Sequence, residues 1–199
     1  MMTHHSLLLL VAASTIALAA CSPKPAGTAA ANNDVLANGA VPADSGDPVE
    51  SALSAAPEAI TREAAVMAPN PDGSMKSLRE GKNGWTCMPD NPATPGPDPM
   101  CMDSSAMKWA EAWIGHKVPP ADNVGLVYML TGGTDASNTN PYGKQPVEGS
   151  DWVKTGPHLM VVGSDSLNRI YSGGEKPDTS KPYVMFGGTP YAHLMIPIK

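Results

Sequence analysis

Stretches of apolar residues with different spacing predict the secondary structure of the second half of the chain. After Asp103, a suitable N-cap, the segment SSAMKWAEAWIG repeats apolar residues at helical spacing, and Gly115 can end it, so it predicts an amphipathic helix. A continuous apolar run predicts a buried strand at 124–131. Further apolar segments at 158–163, 182–188 and 192–198 predict strands, and Pro197 suggests that the last is an edge or terminating strand. We therefore expect an α+β fold: a small, mostly antiparallel sheet with one packed helix, long Pro/Gly-rich loops and one disulfide.

The region before this helix predicts one hairpin and one further helix. Residues 76–80 and 85–88 flank a connection that contains Asn83-Gly84, a strong hairpin signal. The segment 57–67, PEAITREAAVM, is rich in helix formers and is followed by Pro69, which predicts a short helix where the folded part begins. Farther along, residues 132–157 form a connection of a length that is usually functional or mobile.

Composition narrows the range of functions. About 140 residues follow position 56, which is enough for one domain with a single core. Gly and Pro make up 19 and 21 of the 199 residues, and this share predicts long ordered loops. The net charge is −6 and no Lys/Arg cluster forms a basic stripe, so we expect no nucleic-acid partner.

The beginning of the chain has the features of an export signal. Residues 7–20, LLLLVAASTIALAA, are an unbroken apolar run that is too short to span a membrane. The run ends in Leu18-Ala19-Ala20-Cys21, which resembles the lipobox of bacterial lipoproteins. The resemblance implies cleavage before Cys21, a diacylglycerol on its thiol, and usually a further acyl chain, such as palmitate, on its amino group. Several acyl chains would anchor the protein stably.

The lipobox divides the chain into three predicted parts: a signal peptide at 1–20, a lipidated, disordered tether at 21–56 and a single globular domain at 57–199. Residues 22–56 lack aromatics and are dominated by small and polar types, so they cannot bury enough apolar surface to fold. Because Ser22 and not Asp follows the cysteine, the resemblance implies the outer membrane. We expect a protein that faces the periplasm and contacts the membrane through its lipid.

Cys87 and Cys101 are the two cysteines that are left once Cys21 is acylated, and an oxidising compartment favours their pairing. Five prolines lie between them, which exclude helix and disfavour sheet pairing there. Closing this loop should stabilise the fold by about 3 kcal/mol. The alternatives are a redox-active pair and a Cu(I) site that recruits the methionines at 88, 100 and 102.

Five segments between residues 75 and 199 resemble the shared blocks of a family of uncharacterised bacterial envelope proteins. They are LREGKNGWTCMPD, NPATPGPDPMCMD, GGTDASNTNPY, DWVKTGPHLM and PYVMFGGTPYAHLMIP. The family has no assigned activity, so the resemblance implies an envelope location and supplies no catalytic residue.

The anchor, the tether and the long loops favour a non-enzymatic module that binds an envelope protein or a small ligand. The first alternative is a site for copper or another soft metal. Residues two apart in a strand share a face, so His158 points the same way as Met160, and His193 the same way as Met195. If the two strands are neighbours, imidazole and thioether groups suited to copper come together. His and Met in apolar strands are also ordinary core residues.

The second alternative is an envelope hydrolase. The long connection supplies residue types for acid–base or nucleophilic chemistry in Asp135, Ser137 and Asp151, and His158 or His193 could serve as the base. The sequence contains no G-x-S-x-G elbow, P-loop or zincin motif. Asp and Ser beside Gly and Asn are also common turn formers, so the sequence favours a protein that is not an enzyme.

Overall fold

The computed structural model describes residues 46–198 of the chain. The elements in chain order are α1 Pro48–Leu53, α2 Glu58–Thr61, β1 Ala65–Pro69, β2 Met75–Arg79, β3 Thr86–Met88, β4 Met100–Met102, α3 Ser104–Ile114, β5 Gly125–Met129, β6 Gly133–Asp135, β7 Val153–Thr155, β8 His158–Val162, α4 Asp165–Asn168, β9 Tyr183–Met185 and β10 His193–Pro197. The predicted signal segment, Cys21 and most of the predicted tether lie outside the described residues.

An eight-stranded sheet forms the centre of the domain, in the order β2-β1-β3-β4-β5-β8-β10-β9. Every neighbouring pair is antiparallel except β1 and β3, which run parallel. Strands β6 and β7 pair with each other as a separate two-stranded ribbon at the base of the long connection. The α+β fold predicted from the sequence, with its mostly antiparallel sheet, packed helix and disulfide, is confirmed.

The predicted hairpin between 76–80 and 85–88 is wrong, because β1 lies between β2 and β3. The Asn83 side chain accepts a hydrogen bond from the Trp85 amide, so Asn-Gly forms a local turn without pairing its flanking strands. The predicted helix at 57–67 is also shorter than expected, since α2 ends at Thr61 and β1 begins at Ala65. Propensity favoured helix there, but the pairing of β1 with strands on both sides decides the outcome.

The disulfide between Cys87 and Cys101 is confirmed, and it joins directly opposite residues of β3 and β4. Met88 also pairs with Met100, so the prolines prevent sheet pairing only within 89–99. Helix α1 covers the disulfide, and Ala52 and the two cysteines are fully buried. Residues 48–56 are therefore part of the folded domain, although composition predicted a tether as far as Ala56.

Helix α3 packs against the opposite face of the sheet. The Asp103 carboxylate caps the helix by accepting hydrogen bonds from the Ser105 and Ala106 amides, and it also accepts from the Leu126 amide in β5. The predicted N-cap thus joins helix and sheet. Trp109 and Trp113 stack on the helix face that meets the core. Among residues 46–198, no helix is both long and apolar enough to cross a membrane.

Candidate functional site

The His and Met residues singled out in the sequence meet on one face of the central sheet. Strands β8 and β10 are antiparallel neighbours, and Met160 lies directly opposite Met195. His158 and His193 lie at opposite ends of this span, opposite Pro197 and Val162 respectively, so all four side chains share a face. We call this the inner face; α3 packs against it, and the residues of the His–Met group are buried.

The two histidines make the same local hydrogen bond. Nδ1 of His158 donates to the Gly156 carbonyl at 2.7 Å, and Nδ1 of His193 donates to the Tyr191 carbonyl at 2.9 Å. Each bond assigns the proton to Nδ1 and leaves Nε2 with a free lone pair. Burial lowers the pKa of both imidazoles, that of His193 to about 4. Both rings are therefore neutral at pH 7.

His193 lies in an aromatic cage. The ring of Trp109 meets it edge-on with centroids 5.1 Å apart, and the ring of Phe186 does so at 5.4 Å. Phe186 has a φ of +55°, a conformation that aromatic residues rarely adopt. The backbone after β9 thus holds a strained residue that places its ring over His193.

His158 has a different environment, in which one ring nitrogen lacks a hydrogen-bond partner. Its Nε2 is buried and has no hydrogen-bond partner. The ring packs against Gly133 of β6, where an added Cβ would lie 3.1 Å from both the imidazole Cε1 and the methyl group of Met129. Met129 lies opposite His158 in the β5–β8 pair. A third thioether therefore lies beside the imidazole.

Asp135 lies on the ribbon and not with the other loop candidates. Burial, and secondarily the negative charge of Asp98, raise the pKa of its carboxyl to about 7. Burial, with a smaller contribution from the charge of Asp135, raises the pKa of Tyr183 to about 12. The Tyr183 hydroxyl shares a hydrogen bond of 2.6 Å with the Thr155 hydroxyl. Sequence reasoning missed Thr155 and Tyr183, because the contact joins two segments that are far apart along the chain.

Ser137 has a structural role in the long connection. Its Oγ accepts hydrogen bonds from the amides of Thr139 and Asn140, which is the turn-forming behaviour expected of such a serine. The neighbouring Asn138 is fully buried and donates from Nδ2 to the carbonyls of Gly174 and Val184. These two hydrogen bonds attach the long connection to β9 and to the segment before it.

Ser137 and Asp151 line the same cavity, which has a volume of about 320 Å³. One wall comes from the long connection and the other from residues 175–179. Sequence reasoning missed most of the lining, which includes Trp152, Lys154, Glu175 and Lys176, since no motif marks these positions.

The candidate site residues predicted from the sequence therefore lie in three separate parts of the domain. The two histidines share the inner face with their methionines, Ser137 and Asp151 share the cavity, and Asp135 lies on the ribbon. Within residues 46–198, no group of three or more His, Cys, Asp or Glu side chains is arranged to hold a metal ion. The chain matches no protein-family model, no curated protein and no solved structure.

Proposed function

We propose that this protein is a lipid-anchored envelope lipoprotein that works as a non-enzymatic binding module, and that its ligand enters the cavity beside the long connection. The single observation that carries the proposal is this cavity of about 320 Å³, a volume typical of sites for small ligands. The lipobox at Cys21 and the export signal support the location.

The lining of the cavity favours a small ligand that carries both charges. Lys154 and Lys176 supply ammonium groups, Asp151 and Glu175 supply carboxylates, and Trp152 offers an aromatic surface. A zwitterionic amino acid or short peptide has complementary groups for such a lining.

The two walls are tied to each other before any ligand arrives. The Asn138 amide holds the Gly174 carbonyl, and the Thr139 hydroxyl donates to the Glu175 carboxylate. A site whose walls are already joined loses less conformational entropy on binding, so this arrangement favours recognition of a ligand.

The geometry gives less support to hydrolysis. The Ser137 hydroxyl accepts two backbone amides, and no histidine is among the residues that line the cavity. Asp135 and the two buried histidines, His158 and His193, do not line it. A nucleophile without a base within hydrogen-bond reach is poorly activated.

Binding can be tested on the mature protein with a panel of amino acids and dipeptides, followed by amide chemical shifts. We expect shifts at the cavity walls that saturate with concentration, and weaker binding in Trp152→Ala and Lys176→Gln. Lys144→Gln is the matched control, since Lys144 is exposed and does not line the cavity. If no compound of the panel shifts cavity resonances, or if all three variants bind alike, the proposed site is wrong.

The anchor has its own test, which is metabolic labelling with an alkyne fatty acid in a bacterial host. We expect label on the wild-type protein and none on Cys21→Ser, together with release of the variant from the membrane fraction. Equal labelling of both proteins, or a mature form that keeps its first 20 residues, would contradict lipidation.

A further inference from the structure

Two thioether groups face each other at the centre of the inner face. Met160 and Met195 are directly opposite in the antiparallel pair of β8 and β10, and both are buried. Cβ atoms of opposed residues lie about 4.5–5.5 Å apart, so the two flexible side chains reach into the same space. Val127 and Tyr183 occupy the ends of this row and enclose it on the sheet.

Imidazole groups flank the thioether pair on both sides. His158 is two residues from Met160, and His193 is two residues from Met195, on the same face. Since Nδ1 of each ring is already bonded to a carbonyl, only Nε2 can act as a ligand. His193 is level with Val162, four residues beyond His158 and so about 13 Å from it along the strands, and one ion cannot bind both imidazoles.

The orphaned nitrogen of His158 is an independent sign that a partner belongs here. A buried polar atom without a hydrogen bond costs about 1–3 kcal/mol, and such atoms are rare in folded proteins. The packing of methionines explains a well-filled core, but it leaves this lone pair unsatisfied. A cation bound between His158 and the thioethers would satisfy it.

We propose that the inner face binds a soft monovalent metal ion, Cu(I), through His158 Nε2 and the thioethers of Met160 and Met195. The proposal goes beyond the binding cavity and does not depend on it. Thioethers and neutral imidazoles suit Cu(I), whereas Ca²⁺ and Mg²⁺ require oxygen ligands. The His–Met group contains no carboxylate, and within 46–198 no acidic or cysteine-containing cluster competes for harder ions.

A two-stranded ribbon covers this site. The ribbon of β6 and β7 places Gly133 against the ring of His158, and each of its strands has three residues. An ion would reach the site if this ribbon lifted, which requires breaking the 2.6 Å hydrogen bond between the Thr155 and Tyr183 hydroxyls. Met129, beside His158, is a further thioether along that entry path.

The test is an anaerobic titration of the oxidised mature protein with Cu(I) in ascorbate, in competition with a chromogenic Cu(I) chelator. Ag(I) in the absence of reductant serves as a redox-inert second probe. We expect one ion per chain, and X-ray absorption that shows both sulfur and nitrogen neighbours. Alkylation followed by mass measurement must show that the disulfide is intact, because free thiols would themselves bind Cu(I).

The decisive variant is Met160→Leu combined with Met195→Leu, which keeps the side-chain volume and so preserves folding. Loss of a group that only orients a metal ligand weakens metal affinity by about 10- to 100-fold. We expect a larger fall in Cu(I) affinity here, because the variant removes two ligands. His158→Gln should show a similar loss. Met75→Leu and His116→Gln are matched controls outside the inner face, and they should bind as the wild type does.

Two results would overturn the proposal. One is that the chelator removes all metal from the wild-type protein. The other is that binding survives unchanged in both the double Leu variant and His158→Gln, which would place the metal elsewhere. Cavity variants such as Trp152→Ala leave the inner face intact, so failure of the binding-module proposal and failure of the metal site are distinguishable.

Discussion

The two faces of the central sheet are packed with side chains of different size. The inner face buries long side chains, among them five methionines: Met102, Met129, Met160, Met185 and Met195. The other face, which we call the outer face, buries Ala52 of α1, further alanines that follow α1, and Val66 against the disulfide of β3 and β4. One face is held by the volume of flexible side chains, and the other by close approach of small residues and a covalent bond.

The difference explains how a chain with one Phe and little aromatic content builds two cores. Methionine adapts to irregular spaces, so it can fill a layer in which large rings are scarce. Alanine allows a helix to approach a sheet closely, but it buries little apolar area, so the disulfide stabilises that region instead. The inner face should therefore be sensitive to truncation, and the outer face to enlargement or reduction.

The largest effect should come from truncating the inner face. Trp109→Ala removes a buried ring at the centre of the α3 packing, and we expect a loss of about 3–5 kcal/mol in the free energy of unfolding. Trp85→Ala should cost less, since Trp85 is half-exposed beside the outer face. Urea titration of both variants makes the comparison, and equal losses would contradict it. Because Trp109 Nε1 has no hydrogen-bond partner, Trp109→Phe should restore most of the stability.

Removing the disulfide should have the next largest effect. The paired substitution of Cys87→Ala and Cys101→Ala opens the loop between β3 and β4, and we expect a loss of about 3 kcal/mol. The unfolded chain would also become more open, so the dependence of the unfolding free energy on urea should steepen. An unchanged midpoint of unfolding would show that the outer face is held by packing alone.

Enlarging a small residue tests the outer face directly. Ala52→Leu forces extra volume between α1 and the disulfide, and we expect a loss of about 1–3 kcal/mol. Ala59→Leu is the matched control, because Ala59 is exposed in α2 and should tolerate the change. On the inner face, Met160→Leu conserves volume and should cost less than Ala52→Leu. Thermal unfolding of the three variants would reveal any reversal of this order.

A test of a different kind is a pH dependence from the ribbon above the inner face. Asp135 keeps its proton in the folded state up to a pKa of about 7, whereas its unfolded pKa is near 3.8. Its contribution to stability is therefore complete below pH 3.8 and is lost as the pH rises towards 7. Asp135→Asn should gain stability over the wild type at pH 7 and above, and the gain should vanish near pH 4.

A surface carboxylate provides the control of opposite sign. Hydrogen bonds from Lys181 and Ser180 lower the pKa of Asp178 to about 2, so its contribution is present above pH 3.8 and is lost as the pH falls towards 2. Asp178→Asn should therefore lose a small amount of stability at pH 7. The measurement is the free energy of unfolding of both Asn variants, relative to the wild type, between pH 3 and pH 8. If this difference changed with pH in the same direction for both variants, the opposite pKa shifts of Asp135 and Asp178 would be contradicted.

The sequence predicted those elements whose signals are local. Helix α3 was foreseen from Asp103 and from apolar spacing, and the apolar runs marked β5, β8, β9 and β10. The pairing of β1 could not be foreseen, since its residues favour helix and its partners are chosen by tertiary contacts. The same limit applies to the sites: the His–Met pairs follow strand periodicity, whereas the cavity joins segments that no motif connects.

The position of β1 determines how far the protein can be shortened. This early strand separates β2 from β3, and so it lies within the sheet and not at its edge. A fragment that begins at Met75 would leave β2 with no neighbour and would expose the backbone N–H and C=O groups of β3. Open strand edges recruit other chains, so such a fragment should accumulate as insoluble aggregate when it is expressed.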